Sequence, residues 1–289
     1  MRHAAAILLL SSVSAWAGQQ PLTWEPARIA RLEEVVASGV LAPTDPHPAF
    51  FDFFSDSILE SNGSVVFIAN SAGRGVSMLG REGVYSIGRD GRASTFIQKG
   101  DRLGDGQSPV AAITALELSD GVPVARCVLL DGSKESVALG NVSPNRANST
   151  GDAPRGSTEI SNDGRTISCS GRNSNVRIVA DTSTRIAELF AGTFTGFGGR
   201  TIGFGPWIIF SGSAKGYEGL FAMNIETNRL YVLLDNRAVI GDRRVEDFQI
   251  SECPRSAVDL AVTVSFADGG SGIYIFRFSD IGGRLLFGS

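Results

Sequence analysis

A repeated pattern constrains the fold of this chain more than any other feature of its sequence. Each copy begins with a turn dipeptide, continues as a short apolar segment, and is followed by a second segment that starts Gly-aliphatic-aromatic. The clearest copies are SNGSVVFIAN with EGVYSIG, FGPWIIFSG with EGLFAMNI, and PRSAVDLAVTVSF with SGIYIFRF. The turn anchors, which run from Gly63 to the segment around Arg255, are spaced by roughly 48 residues, a period typical of propeller blades.

The composition agrees with an all-β fold built from short strands. Gly accounts for 35 of the 289 residues and is spread along the chain, and the apolar runs between turns are rich in Val, Ile and Phe. We therefore predict an all-β, β-propeller-like domain of about five blades with roughly four strands each. Two alternatives stay open, namely six blades of which one is partial, and a β-solenoid. Residues 29–38 are expected to form a short helix or a strand.

The N-terminal sequence MRHAAAILLLSSVSAWAGQQ has the layout of a secretory signal peptide. Arg2 gives it a positive start, a short apolar run follows, and Ala15, Trp16 and Ala17 form a small-x-small cleavage site. The apolar run is too short to span a bilayer. We predict a cleaved signal peptide at residues 1–17, a segment at 18–48 that completes or caps the last blade, and a single repeat domain at 49–289. The mature protein is expected to be periplasmic or secreted, without a membrane span.

The repeats resemble a family of exported bacterial tandem-repeat proteins, many of which carry a C-terminal sorting anchor. The matching segments are NGSVVF, GVYSIG with QKGDRLG, VRIVADTSTRI with GTFTGFGG, and GIYIF, within residues 28–278. The resemblance implies an extracytoplasmic, propeller-like fold and no established activity, so it assigns no catalytic residue. The final segment, GGRLLFGS, does not look like such an anchor, and surface attachment is therefore not expected.

The composition argues against several classes of function. With 26 Lys and Arg against 30 Asp and Glu, the chain lacks the basic surface that nucleic-acid binding requires. His3 falls in the predicted signal peptide, which leaves only His47 in the mature chain and excludes a His-based metal cluster. The cysteines, Cys127, Cys169 and Cys253, lack zinc-ligand spacing and are expected to pack as small apolar side chains. We expect no cofactor, no nucleic-acid partner and a monomer.

Aspartates that follow the last strand of a unit are the candidate binding residues. GDRLGDG contains Asp101 and Asp105, and Asp181 and Asp235 hold similar positions in VADTSTR and LDNRAVIGD. GDRLGDG lacks the third acid and the closing Glu of a calcium loop, and the helix of a phosphate loop. A turn role is favoured because Asp accepts hydrogen bonds from backbone N–H groups two or three residues on. Binding by several such connectors, gathered on one face, is the weaker alternative.

Two further segments carry residues that often serve in binding sites. Phenylalanines beside carboxylates in AFFDFFSDS, residues 49–57, would suit carbohydrate recognition. Strand alternation instead places Phe51 and Phe53 on one face and Asp52 and Phe54 on the other, which favours a blade core. GTFTGFGG, residues 192–199, lacks the strand and helix that frame a dinucleotide loop, and it is predicted to be a tight connector.

Taken together, these features predict an exported, non-catalytic binding protein. It would recognise a protein or a glycan through the propeller loops or the mouth of the channel, and a periplasmic inhibitor or immunity-type protein is one form of this hypothesis. The competing hypothesis is a carbohydrate-active hydrolase, which needs two or three carboxylates about 5–10 Å apart in the channel. No catalytic residue and no metal ligand is assigned.

Overall fold

The computed structural model is an all-β protein throughout the part that it describes. It describes residues 23–24, 31–43, 49–73, 81–139, 159–170, 176–184, 192–204, 206–253 and 259–277. These ranges contain strands and turns and no helix, so the all-β prediction is confirmed. Within residues 29–38, the described part is a strand, Arg31–Ala37. The signal peptide at 1–17, His47, and the anchors Gly205 and Pro254 lie outside the described residues.

Two N-terminal strands precede five groups of strands, each of which forms one sheet of the described chain. The N-terminal strands are β1 (Thr23–Trp24) and β2 (Arg31–Ala37). Sheet I contains β3 (Leu41–Ala42), β4 (Ala49–Leu59), β5 (Val65–Ala72), β6 (Arg81–Ile87) and β7 (Ala93–Gln98). Sheet II contains β8 (Val110–Ser119), β9 (Val122–Leu129) and β10 (Lys134–Ala138), and sheet III contains β11 (Glu159–Asn162), β12 (Thr166–Ser170) and β13 (Val176–Asp181). Sheet IV contains β14 (Gly196–Phe204), β15 (Trp207–Ala214), β16 (Tyr217–Asn224) and β17 (Arg229–Asp235). Sheet V contains β18 (Val239–Ile240), β19 (Arg243–Ile250), β20 (Asp259–Phe266) and β21 (Ser271–Arg277).

Consecutive strands pair antiparallel within each sheet, and the two N-terminal strands join the last two sheets. β1 adds to β17 in parallel, and β2 pairs antiparallel with β21. Side chains reinforce the second pairing: Tyr274 donates a hydrogen bond to Glu34 at 3.2 Å, and Arg277 Nε lies 3.0 Å from Glu33 Oε2. The N-terminal segment therefore supplies the outer strand of both sheets IV and V.

Sheets I, V and IV are buried on both faces because the sheets pack against one another in succession. Alternate residues of a strand point to opposite neighbours. Val66 and Ile68 of β5 join an apolar cluster shared with sheet II, whereas Phe67 and Ala69 join a cluster shared with sheet V. Two more clusters join sheet III to IV and sheet IV to V. The order of packing is II, I, V, IV, III, so the first sheet of the chain contacts the last. This succession of small sheets confirms the propeller-like part of the prediction.

Glycine in the Gly-aliphatic-aromatic segments makes room for an aromatic ring on the same strand face. A Cβ at Gly219 would lie 2.8 Å from Cζ of Phe221 and 2.9 Å from Cε1 of Tyr217. A Cβ at Gly83 would lie 2.9 Å from the ring of Tyr85. Residues two apart share a face of a strand, so each ring lies over the glycine that precedes it. The repeat seen in the sequence is therefore a packing unit.

The strand β4 departs from simple alternation within AFFDFFSDS. Phe51 and Phe54 are each 1% exposed and pack in the same cluster, whereas Phe53 is 47% exposed. The register with β5 shifts between Phe51 and Phe53, as at a β-bulge, and an extra residue reverses the faces that follow it. The prediction that Phe51 and Phe53 share a face is wrong for this reason. The core role of the segment is carried by Phe51 and Phe54.

Candidate functional site

The first long strand of each of four sheets lines one cavity. Its volume is about 690 Å³, within the range of small-molecule binding sites. β4, β8, β14 and β19 each contribute lining residues, and β15 and β16 complete the wall on the side of sheet IV. Since each sheet offers only a few positions, the site exists only in the packed assembly of sheets.

The cavity wall carries an excess of negative charge. Among the residues that the structure describes, five carboxylates line it, together with one basic side chain, that of Arg200. The carboxylates come from all four of these sheets, four of them from strands and one from the segment that follows β19; they are Asp56, Glu117, Glu218, Asp247 and Glu252. A concave surface lined by one sign of charge focuses the electric field and attracts ions of the opposite sign.

Two of these carboxylates also serve the fold, because they satisfy the free edge of β8. Glu252 Oε2 accepts a hydrogen bond from the backbone N–H of Leu118 at 2.6 Å. Asp56 Oδ2 accepts one from the N–H of Leu116 at 3.4 Å. β8 is the edge strand of sheet II, so these N–H groups have no partner within the sheet and their burial would otherwise be costly.

Glu252 connects four sheets at the cavity wall. It follows β19 of sheet V, and its backbone N–H donates to Ser57 of β4 at 2.9 Å while its carbonyl accepts from Leu59 at 2.8 Å. Its side chain reaches β8 through Leu118 and sheet IV through Arg200, whose Nη2 lies 3.2 Å from Oε1. The position of this carboxylate is therefore fixed by the backbone and by two neighbouring sheets.

The remaining carboxylates differ in how far they are neutralised. Arg126 donates two hydrogen bonds to Glu117, at 2.9 and 2.8 Å, and these hold the pKa of Glu117 below its ordinary value. Glu218 and Asp247 are exposed, and neither is in an ion pair within the described part of the chain. These two carboxylates are the ones best placed to meet a cation from solvent.

A glycine wall on sheet IV faces the carboxylates. Gly198 and Gly199 of β14 line the cavity, and a Cβ at Gly198 would meet nothing within 4 Å. Gly199 has a φ of +64° and lies in a break of the ladder between Gly198 and Ile202. The prediction that GTFTGFGG is a tight connector missed this wall, because residues 196–199 belong to β14 and nothing within the segment indicates that they line a cavity.

The four aspartates predicted as weak binding candidates lie at turns, and none of them lines the cavity. Asp101 follows β7 and accepts a hydrogen bond from the N–H of Gln98 at 2.8 Å, and Asp105 is exposed in the loop that follows. Asp235 ends β17 and accepts from the N–H of Arg237 at 2.9 Å. A role of these residues in ligand binding stays a prediction.

Asp181 shows the turn chemistry most completely. Its Oδ1 accepts hydrogen bonds from the N–H and hydroxyl of Ser183, at 2.9 and 2.6 Å, and from the hydroxyl of Thr184 at 3.0 Å. Burial raises the pKa of Asp181, but these hydrogen bonds outweigh it and the net pKa is lowered. The carboxylate is thus committed to its own turn.

The cysteines and the metal-binding residue types form no site in the described structure. Cys127 and Cys169 are buried in apolar clusters, Cys253 packs beside another cluster, and all three are free thiols. Burial raises the pKa of Cys253 to about 11. Over the described ranges, no three His, Cys, Asp or Glu side chains are arranged to hold a metal ion. Nor do those ranges contain a helix with the length and apolarity that crossing a membrane requires.

Comparison with known proteins identifies no relative of the chain. No protein-family model matches it, and no curated protein matches it. Among solved structures, it is similar to the tricorn protease at 10% identity and a TM-score of 0.27, covering 89% of this chain and 27% of that one. It is similar to TolB from Acinetobacter baumannii at 11% identity and a TM-score of 0.24, covering 86% and 64% of the two chains. It is similar to virginiamycin B lyase from Staphylococcus aureus at 10% identity and a TM-score of 0.20, covering 84% of this chain and 87% of that one. The chain thus spans about a quarter of the tricorn protease chain and less than two thirds of TolB, and likenesses at these TM-scores carry no argument about function.

Proposed function

We propose that the chain is an exported, five-bladed β-propeller that binds a cationic group in its central cavity without catalysing a reaction. Sheets I to V would be the five blades, with β4, β8, β11, β14 and β19 as the strands nearest the axis. The order of packing supports this count, because the apolar clusters join all five sheets in succession and pack the first sheet of the chain, I, against the last, V. Export is supported by the signal-peptide pattern of residues 1–17.

The observation that carries the binding proposal is the cavity of about 690 Å³ with five carboxylates and one guanidinium on its wall. Glu117 is neutralised by Arg126 and Glu252 by Arg200, which leaves Asp56, Glu218 and Asp247 without a cationic partner in the described part. Asp56 accepts hydrogen bonds from Leu116 and Gln249, whereas Glu218 and Asp247 are exposed. A ligand with an amino or guanidino group would supply that partner. The ligand would be a protein that inserts a basic side chain, as an inhibitor or immunity-type protein would require, or a glycan with free amino groups.

Binding is favoured over catalysis by what the carboxylates already do. A glycoside hydrolase needs one carboxylic acid that stays protonated near neutral pH. Glu117 has the opposite property, since its hydrogen bonds from Arg126 lower its pKa. Asp56 and Glu252 are engaged as acceptors for the N–H groups of β8. Glu117, Asp56 and Glu252 therefore act as hydrogen-bond acceptors within the packed sheets.

The proposal is tested by calorimetry with matched charged and neutral probes. The protein from Gly18 onward is titrated with a tetra-arginine peptide and with the corresponding tetra-citrulline peptide, which has the same shape and no charge. A fully deacetylated chitosan tetramer and acetylated chitotetraose form a second pair. We expect binding of the charged member of at least one pair, weakening as salt rises. Equal binding of charged and neutral members, or no binding of any probe, would contradict the proposal.

A cavity-filling variant locates the binding. Gly198→Phe places a ring where a Cβ has open space, and the backbone of Gly198 is not in the left-handed region. We expect it to abolish binding of the charged probe. Leu130→Phe, at a turn position that is 68% exposed, adds the same ring away from the cavity and should bind like the parent protein. Unchanged binding by Gly198→Phe would show that the charged probe binds elsewhere.

A carbohydrate-active hydrolase is the second candidate, and the carboxylates that line the cavity support it. Glu218 and Asp247 would then be the acid and the base or nucleophile. Release of reducing ends from a panel of polysaccharides by the parent protein, and its loss in Glu218→Gln and Asp247→Asn, would replace the binding proposal.

A further inference from the structure

We propose that Arg200 determines the specificity of the cavity, because its guanidinium lies against Glu252 in the position that a ligand cation would take. This inference rests on the proposed function. A ligand cation would replace Arg200 at the carboxylate of Glu252, which is already in place. Arg200 therefore sets how strongly a cation must bind Glu252 in order to enter the cavity.

The backbone at Arg200 is free of the sheet ladder. β14 pairs with β15 up to Gly198 and resumes at Ile202, which leaves Gly199, Arg200 and Thr201 outside the regular register. Gly199 has a positive φ of +64°. Bulges of this kind bend the strand and change the direction of a side chain. Arg200 can therefore move without the loss of a backbone pairing.

The contact of Arg200 with Glu252 is open to exchange. It is one ion pair of 3.2 Å, in which the Arg200 side chain is 45% exposed and the Glu252 side chain 23% exposed. Exposed ion pairs of this type contribute little to stability. The pair of Arg126 with Glu117 differs, since two hydrogen bonds of 2.9 and 2.8 Å hold it. Of the two guanidinium groups, Arg200 is the one that a competing cation would displace.

Glu252 would keep its position after Arg200 leaves. Its second oxygen accepts the N–H of Leu118 at 2.6 Å, and its backbone is paired with β4 on both sides. The carboxylate is thus preorganised for a cation. Because the fold already holds the side chain of Glu252 in place, binding loses little side-chain entropy. Removing Arg200 should leave a stronger site for a cation rather than a collapsed one.

The test uses Arg200→Gln and Arg200→Lys with the tetra-arginine and tetra-citrulline peptides. Arg200→Gln should bind tetra-arginine more tightly, by about tenfold at low salt, the factor for one screened charge pair. It should bind tetra-citrulline no more tightly than the parent does. Arg200→Lys, which keeps the charge, should behave like the parent. Arg92→Gln removes the same charge from a side chain that is 89% exposed and should change neither affinity.

The outcomes separate the two proposals. If the parent binds tetra-arginine and Arg200→Gln binds it equally or more weakly, with an unchanged urea unfolding midpoint, the role of Arg200 is refuted and the binding proposal stands. An equal gain in Arg92→Gln would also refute it, because the effect would then come from net charge. If neither the parent nor Arg200→Gln binds tetra-arginine, the cation-binding function fails and the role of Arg200 fails with it.

Discussion

Replacement of Gly219 by Ala tests whether the repeated glycine is needed because a Cβ there would clash with an aromatic ring. The new Cβ would lie 2.8 Å from Phe221 and 2.9 Å from Tyr217, and both rings are fully buried. Forcing a methyl group into a packed core costs about 1–3 kcal/mol. Because alanine lowers the conformational entropy of the unfolded chain, the same substitution also stabilises the folded protein by about 0.4–1 kcal/mol. The expected net loss of about 1–2 kcal/mol corresponds to a fall in Tm of roughly 2–8 °C for a domain of this size.

The measurement is urea unfolding followed by tryptophan fluorescence, with thermal unfolding as a second readout. Gly198→Ala is the matched control, since it makes the same change on another strand of the same sheet, where a Cβ meets nothing within 4 Å. We expect this control to equal or slightly exceed the parent in stability. If Gly219→Ala unfolds at the same urea concentration as Gly198→Ala, the steric account of the repeat is refuted.

Two further predictions concern the bulge in sheet I and an ion pair in sheet V. Phe54→Ala should destabilise the protein by about 3–5 kcal/mol and Phe53→Ala by less than about 0.5 kcal/mol, as urea midpoints will show; similar losses would contradict the bulged register. Hydrogen bonds from Arg243, and from a backbone N–H, lower the pKa of Asp268 from 3.8 to about 2. A lowered pKa in the folded state contributes stability above pH 3.8 that is lost as the pH falls toward 2. The difference in urea midpoint between the parent and Asp268→Asn should therefore shrink over that window, and a difference independent of pH would count against the pairing.

The sequence predicts those features whose cause lies within a few residues. Gly219 and Phe221 are two apart, so the packing of ring over glycine repeats as a visible pattern. The turn at Asn62 and Gly63 is local in the same sense, because the N–H of Ser64 bonds to the Asn62 side chain. These local signals are sufficient to predict the strands, the turns and the all-β class of the fold.

The cavity could not be predicted in this way. Asp56, Glu117 and Glu252 lie in three different units, share no spacing, and meet only because sheets I, II and V pack around the same space. The segment that contains Gly198 was predicted to be a connector, because its position in the cavity wall depends on residues that are distant in the sequence. The bulge in β4 was missed because alternation assumes an uninterrupted ladder, and nothing in AFFDFFSDS marks the extra residue.

The pairing of β2 with β21 has a consequence for how the protein folds. Glu34 and Tyr274, which meet in this pairing, are 240 residues apart in the chain. Contacts between distant segments form late, because the loss of chain entropy comes before any gain from the contact. During synthesis β2 emerges long before its partner exists, and it stays an unpaired strand until the sequence of β21 has been made. Such a strand is prone to wrong pairing, so the slowest and most vulnerable step of folding should be the final one.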